Sequence, residues 1–152
     1  MTDTSINVLV LCTGNSARSV LAECLINDLG AGKWKAYSAG SHPTGKVNPL
    51  SIEILQEKGH AVEGLRSKSW DEFAAPGAPR MDLVITVCDN AAGEVCPIWP
   101  GHPSKVHIGF PDPAAAEGDP EAQLAVFRAV YGQIEAKVKK LIEVGPERAG
   151  EV

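Results

Sequence analysis

Apolar residues are spaced along this chain in two different rhythms. Short runs at Ile6–Cys12, Trp34–Ala39, Leu83–Val87 and Val106–Ile108 predict four β-strands. Three of the runs are apolar without polar alternation, the pattern of strands covered on both faces. Between the runs the spacing changes to three and four. Ala17–Leu29 places Val20, Leu21, Cys24, Leu25 and Leu29 on one side of a helix. A second helix is predicted over Asn48–Lys58, with Asn48 as N-cap, Pro49 at the first position and Gly59 as the stop. Ser69-Trp70-Asp71-Glu72 reads as a capping box that opens a short helix ended by Pro76. The last helix starts at Asp119-Pro120 and carries Leu124, Phe127, Val130 or Tyr131, Ile134, Val138 and Leu141 on one apolar face. Gly145-Pro146 stops it, and residues 145–152 are expected to fray.

Strands alternating with helices predict a parallel α/β sheet with right-handed crossovers. Ligands of such sheets bind beyond the C-terminal ends of the strands. Cys12 and Cys88 both stand at such ends. The 152 residues show no internal repeat and no low-complexity block, so one domain spanning 1–152 is expected.

Hydrophobic content of 44% and charged content of 22% are ordinary for a globular domain, so composition leaves function to local features. A net charge of −5 without a basic stripe argues against nucleic acid or a membrane surface as partner. Small anions stay open, because they answer to a local field. The opening "MTDTSINVLVLC" has no Lys or Arg ahead of a short apolar run, so neither a secretory signal nor a membrane span is expected, and the reading is cytoplasmic. Structural disulfides are rare there. Four cysteines then read as buried thiols, metal ligands or redox groups. With no Cys-x-x-Cys pair and no His-rich cluster, no metal site is expected.

The stretch Cys12-Thr13-Gly14-Asn15-Ser16-Ala17-Arg18-Ser19 joins the first strand to the first helix. Small residues let backbone N–H groups converge on one point, and a helix N-terminus adds the positive end of its dipole. Arg18 can grip a tetrahedral oxyanion with two parallel hydrogen bonds, where a lysine offers a point charge. The same features lower a thiol pKa. A drop from about 8.5 to about 6 takes roughly 3.4 kcal/mol, and two charge-assisted hydrogen bonds of about 1.5–3 kcal/mol each supply it. Ser19 is placed to donate one of them.

"CTGNSARS" resembles the Cys-x5-Arg-Ser loop of the low-molecular-weight protein tyrosine phosphatases and of the arsenate reductases that share their fold. The likeness extends over "YSAG" at 37–40, "VNP" at 47–49, "VITVCDNAAGEVCP" at 84–97 and "PDPA" at 111–114. It implies a flavodoxin-like three-layer α/β fold with a four-stranded parallel sheet in the order 2-1-3-4. It also implies Cys12 as nucleophile, Thr13, Gly14, Asn15, Ser16, Ala17 and Arg18 as oxyanion ligands, and Asp112 as general acid, held over the leaving group by Pro111 and Pro113.

Three features separate the two branches. Phosphatases of the family resemble one another in Asp-Pro-Tyr, whereas Ala114-Ala115-Ala116 follows Pro113 here. Many have Pro after the loop serine, and this chain has Val20. Cys88 and Cys96 match the redox pair of the reductases. With strands one and three adjacent, about 4.8 Å apart, Cys12 and Cys88 fall within the roughly 7 Å Cα limit of a disulfide. A helical 88–96 segment separates its cysteines by about 12 Å, so a Cys88–Cys96 bond requires that segment to unwind. Ala91-Ala92-Gly93 permits this, and a movable segment is expected there.

The resemblance therefore implies arsenate reduction by a relay from Cys12 to Cys88 to Cys96, in the service of arsenic resistance. No cofactor is bound, and the electrons come from thioredoxin or from glutathione with glutaredoxin; a monomer is expected. A phosphatase acting on aryl phosphate monoesters through a phosphocysteine is the alternative, and a non-catalytic oxyanion-binding module is a third. Cys24 is expected in the core, and His42, His60, His102 and His107 as structural or surface residues. Some reductases of the family bind potassium beside the loop. Asn15, Glu23 and Ser38 match the positions used there, but Ser69 stands in place of an expected aspartate, and no metal is assigned.

Overall fold

Four parallel strands form one sheet in the order β2-β1-β3-β4 in the computed structural model, which describes residues 6–15, 17–30, 32–75, 77–87, 104–110, 113 and 117–152. The strands are β1 (Ile6–Leu11), β2 (Trp34–Ala39), β3 (Leu83–Thr86) and β4 (Ser104–His107). This is the expected flavodoxin-like α/β fold. Leu11 pairs with Ala39 on one side and with Thr86 on the other, and Thr86 pairs with His107. All four carboxyl ends are thereby drawn to one edge. Val8–Leu11 and Leu83–Thr86 are buried along their length, as unbroken apolar runs require. β4 differs: it begins two residues before the predicted Val106, and Ser104, Lys105 and His107 are exposed on a sheet edge. Polar and charged side chains are the usual protection of such an edge.

Helix α1 (Arg18–Leu29) follows β1 and packs against both β2 and helix α3 (Pro120–Val144). Its buried set includes Ala22 and Ile26 besides the predicted stripe, so the helix is enclosed over much of its circumference. Helix α2 (Pro49–Glu57) is capped by Asn48, whose Oδ1 accepts from Leu50 N at 2.9 Å. It stops where Gly59 takes φ +84, a conformation that glycine adopts without a Cβ penalty. The predicted apolar face of α3 is present, with Phe127, Val130, Tyr131, Ile134, Val138 and Leu141 all buried.

Two expectations are corrected. Residues 70–73 form a 3-10 turn, and only half of the capping box exists. Ser69 Oγ accepts from Asp71 N at 3.1 Å, but Glu72 turns away to take both prongs of the Arg66 guanidinium at 2.6 and 3.0 Å. A charge-assisted fork outcompetes one backbone N–H. The tail beyond Gly145 is not frayed: Pro146–Glu151 makes a 3-10 turn against α3 and β4, with Ala149 buried. Arg148 and Glu151 close that turn at 2.7 Å.

Candidate active site

Cys12 is the first residue past β1, and its N–H donates to the Ala39 carbonyl at 3.2 Å, which holds this thiol-bearing position against the end of β2. Beyond it the carbonyls point away from the loop interior. Thr13 O accepts from His42 N at 3.0 Å, and Gly14 O accepts from Thr44 N at 3.1 Å and from Ser67 Oγ at 2.9 Å. A peptide whose carbonyl is engaged outward presents the next N–H inward, which is how a run of amides becomes an anion nest. α1 begins at Arg18 with Ala17 as N-cap and no side-chain cap, so no side-chain oxygen competes with a bound anion for its first turn.

Gly40 explains how the wall behind the loop comes so close. A Cβ there would meet the Cys12 carbonyl oxygen at 2.5 Å and the Thr13 carbonyl oxygen closer still. Gly40 is itself clamped, donating to Lys68 O and accepting from Trp70 N.

Asn15 fixes the turn from inside. It is fully buried at φ +47, a left-handed conformation that asparagine tolerates better than most residues. Its Oδ1 accepts from Lys68 N at 2.9 Å, and its Nδ2 donates to Ser19 Oγ at 2.8 Å. Ser19 is also fully buried. Because its oxygen receives the Asn15 amide, its own proton is directed elsewhere. Arg18 Nη1 donates to Phe110 O at 3.0 Å, joining the start of α1 to the chain leaving β4. Phe110 N in turn donates to Val87 O, and Val87 N to Leu11 O. The loop, the end of β3 and the exit of β4 thus meet at one place.

Of the predicted site residues, the structure brings together Cys12, Thr13, Gly14, Asn15, Ala17, Arg18 and Ser19. Ser16, Cys88, Cys96 and Asp112 lie outside the described residues, as do the expected movable segment at 88–96 and His102. In sequence, Cys88 follows Val87 directly, and Asp112 comes two residues after Phe110. Cys24 is in the core, where burial pushes its thiol up to about 12 and the neighbouring Glu23 charge adds to the effect. His60 meets the Tyr131 hydroxyl at 2.7 Å and His107 meets Thr86 Oγ1 at 2.8 Å.

Ser67, Lys68 and the Phe110 carbonyl carry no site signal in the sequence, and Gly40 is marked there only as the last residue of the YSAG likeness. Asn15 and Lys68 are separated by 53 residues, so no local pattern connects them. A second cluster lies beside them. Glu23 of α1 accepts a hydrogen bond from Ser38 Oγ of β2, and Lys68 Nζ is 4.0 Å from Glu23 Oε1. Burial pushes Glu23 up and Lys68 down, and their mutual attraction acts against both shifts. Of the positions matched to a potassium site, Glu23 already faces a cation of the chain itself, the Lys68 ammonium, which would repel a second positive charge at that carboxylate. Among the described residues, no group of three or more His, Cys, Asp or Glu is placed to hold a metal ion.

Comparison with known proteins agrees with this geometry. Residues 7–148 match the family model described as low molecular weight phosphotyrosine protein phosphatase. The chain is 40% identical over 138 residues to the arsenate reductase of Halalkalibacterium halodurans, covering 91% of this chain and 96% of that one. Its fold is similar to the crystal structure of arsenate reductase from Archaeoglobus fulgidus, with a TM-score of 0.68, 33% identity, and coverage of 90% of this chain and 98% of that one. It is also similar in fold to the thioredoxin-dependent arsenate reductase of Corynebacterium glutamicum, with a TM-score of 0.65, 24% identity, and coverage of 95% of this chain and 65% of that one.

Proposed function

The chain belongs to the low molecular weight phosphotyrosine protein phosphatase family, and on that premise we propose that it is an arsenate reductase. The observation that carries the reading is the identity to an arsenate reductase along nearly the whole chain. The outward-held carbonyls of Thr13 and Gly14 support the reading of this loop as an oxyanion site, and the presence of Cys88 and Cys96 supports a reductase over a phosphatase, which does not use such thiols.

In this reading the amides from Thr13 to Ala17, with Ser16 among them, and the guanidinium of Arg18 hold arsenate. Ser19, oriented by Asn15, donates to the Cys12 thiolate and keeps it ionised. Cys12 Sγ attacks arsenic, and Asp112 protonates the departing oxygen, which leaves as water. Cys88 then attacks Cys12 Sγ. The sulfur–arsenic bond breaks with its electron pair on arsenic, so arsenite departs and two thiols become the Cys12–Cys88 disulfide. Cys96 attacks Cys88, freeing Cys12 and leaving Cys88–Cys96. An external dithiol takes that disulfide back to two thiols and is itself oxidised.

Thioredoxin is the donor this reading favours, because a disulfide moved away from the nucleophile suits reduction by a protein dithiol. Glutathione with glutaredoxin is the alternative donor. A relay that returns to free thiols after each turnover belongs in a reducing compartment, and a cytoplasmic monomer acting in arsenic resistance fits it. Among the described residues no helix is long and apolar enough to cross a membrane.

The test is an anaerobic assay of the reduced protein with arsenate, thioredoxin, thioredoxin reductase and NADPH, for wild type and Cys96→Ser. NADPH consumption in wild type that stops in the variant is the expected result. Turnover only with glutathione and glutaredoxin would change the donor. Silence with both, accompanied by rapid aryl phosphate hydrolysis that survives loss of Cys88 and Cys96, would establish the phosphatase instead.

A further inference from the structure

Three walls of the oxyanion loop meet at a pair of side chains that the proposed chemistry does not use. Glu23 lies on α1, five residues after Arg18. Through Ser38 Oγ it is tied to β2, whose next residues supply the Ala39 carbonyl for Cys12 N and the close approach of Gly40. Lys68 lies on the third wall, the 66–68 strap. There Ser67 Oγ donates to Gly14 O and Lys68 N donates to Asn15 Oδ1.

The Lys68 side chain is 90% buried, since only 10% of its surface is exposed. Its ammonium lies 4.0 Å from Glu23 Oε1 and donates to Arg66 O at 3.3 Å. The Arg66 guanidinium is committed to Glu72, so it does not compete for Glu23 by contact. A buried ammonium is costly unless its partners are held in place. Here those partners are the helix and the strap that frame the loop.

We infer that the Lys68 ammonium is a positioning group for the oxyanion loop, a cation built into the chain that clamps the 66–68 strap onto α1 and β2. Without it, Ser67 and Lys68 lose the rigid backing that keeps the Gly14 carbonyl turned outward and the Asn15 carboxamide aimed at Ser19. The inference rests on reading this loop as an oxyanion site.

The test is alkylation of Cys12 by iodoacetamide, resolved by peptide mass spectrometry, across pH and with increasing inorganic phosphate. It needs no turnover. Lys68→Met leaves the Glu23 carboxylate with Ser38 but without its neighbouring cation, so Lys68→Met/Glu23→Gln is made beside it to keep a folded comparison. In both, half-protection by phosphate is expected to need about tenfold more anion, and the Cys12 alkylation profile is expected to move to higher pH. Lys68→Arg keeps the charge and is expected to stay within about threefold of wild type. In Lys68→Ala, methylammonium is expected to restore protection and the bulkier choline is not. A folded double variant with wild-type protection and pH profile would overturn the inference. A wild type that phosphate does not protect would remove the oxyanion site itself, and the inference with it.

Discussion

Asn15 Nδ2 sits 2.8 Å from Ser19 Oγ, and both residues are completely buried. That contact turns a lone pair of Ser19 Oγ toward Asn15 and leaves the hydroxyl proton to be donated elsewhere. The same asparagine holds φ +47. It therefore does two separable things, one through its backbone and one through its side chain.

Asn15→Gly separates them. Glycine takes the left-handed conformation at no steric cost, so the loop is expected to keep its course while both side-chain hydrogen bonds vanish. Each is worth about 0.5–1.5 kcal/mol. The expected outcome is a folded protein whose Cys12 reacts with arsenate about 10- to 100-fold more slowly in a single turnover. Asn15→Ala adds about 1–2 kcal/mol of backbone strain and is expected to melt lower as well. Equal single-turnover rates in wild type and Asn15→Gly would show that Ser19 needs no orientation.

Two glycines make an opposed pair. Gly40→Ala drives a Cβ into the Cys12 and Thr13 carbonyls, and an overpacked wall of this kind costs about 1–3 kcal/mol. Weaker phosphate binding should accompany the loss, because those carbonyls belong to the loop. Gly132, inside α3, has no atom within 4 Å of the added Cβ, and Gly132→Ala is expected to gain about 0.5–1 kcal/mol from helix propensity. Denaturant unfolding of the two variants reads both signs.

The contrast shows what the sequence made legible. Four strands and the α2 and α3 caps follow from apolar runs, Asn48-Pro49 and Asp119-Pro120, all of them local signals, whereas the strand order was implied only by the family resemblance. The Cys12–Ser19 loop was readable as a candidate site because its residues are consecutive. Gly40, Ser67 and Lys68 were not, since they reach the loop only once β1 and β2 pair and the 66–68 strap folds back. Glu72 misled because its competing partner, Arg66, lies on the other side of the cap. The tail misled because Ala149 is one small apolar residue, too weak a pattern to announce a docked turn.

Cys24 gives a pH signature. Burial raises its thiol from its ordinary value near 9 to about 12, so between those values the unfolded chain releases a proton that the native chain retains. Rising pH therefore favours unfolding, by about 1.4 kcal/mol per unit within that window. Tyr131, also held up at about 12 by burial, adds to the slope above pH 10. Cys24→Ala is expected to lose about 1 kcal/mol of packing at pH 7 and to recover relative to wild type as the pH approaches 11. Parallel stability curves from pH 8 to pH 11 would mean that the thiol is not the group responsible.

Arg18→Lys tests whether the guanidinium acts by its charge or by its shape. Arg18 opens α1, and Nη1 is spent on the Phe110 carbonyl at 3.0 Å, two residues before Asp112. A planar fork can hold that carbonyl and still present a second edge to an oxyanion, whereas an ammonium offers one compact charge. The variant keeps the net charge and a good helix former at the same position, so the fold is expected to survive. Arsenate reduction is expected to fall at least about 100-fold in kcat/KM, which corresponds to roughly 2.7 kcal/mol of lost transition-state stabilisation. If the loss is confined to KM, the arginine only binds the anion. If kcat falls too, the guanidinium also makes a contact that is stronger in the transition state than in the bound ground state. Activity within a few-fold of wild type would leave charge alone as the requirement and remove the shape argument.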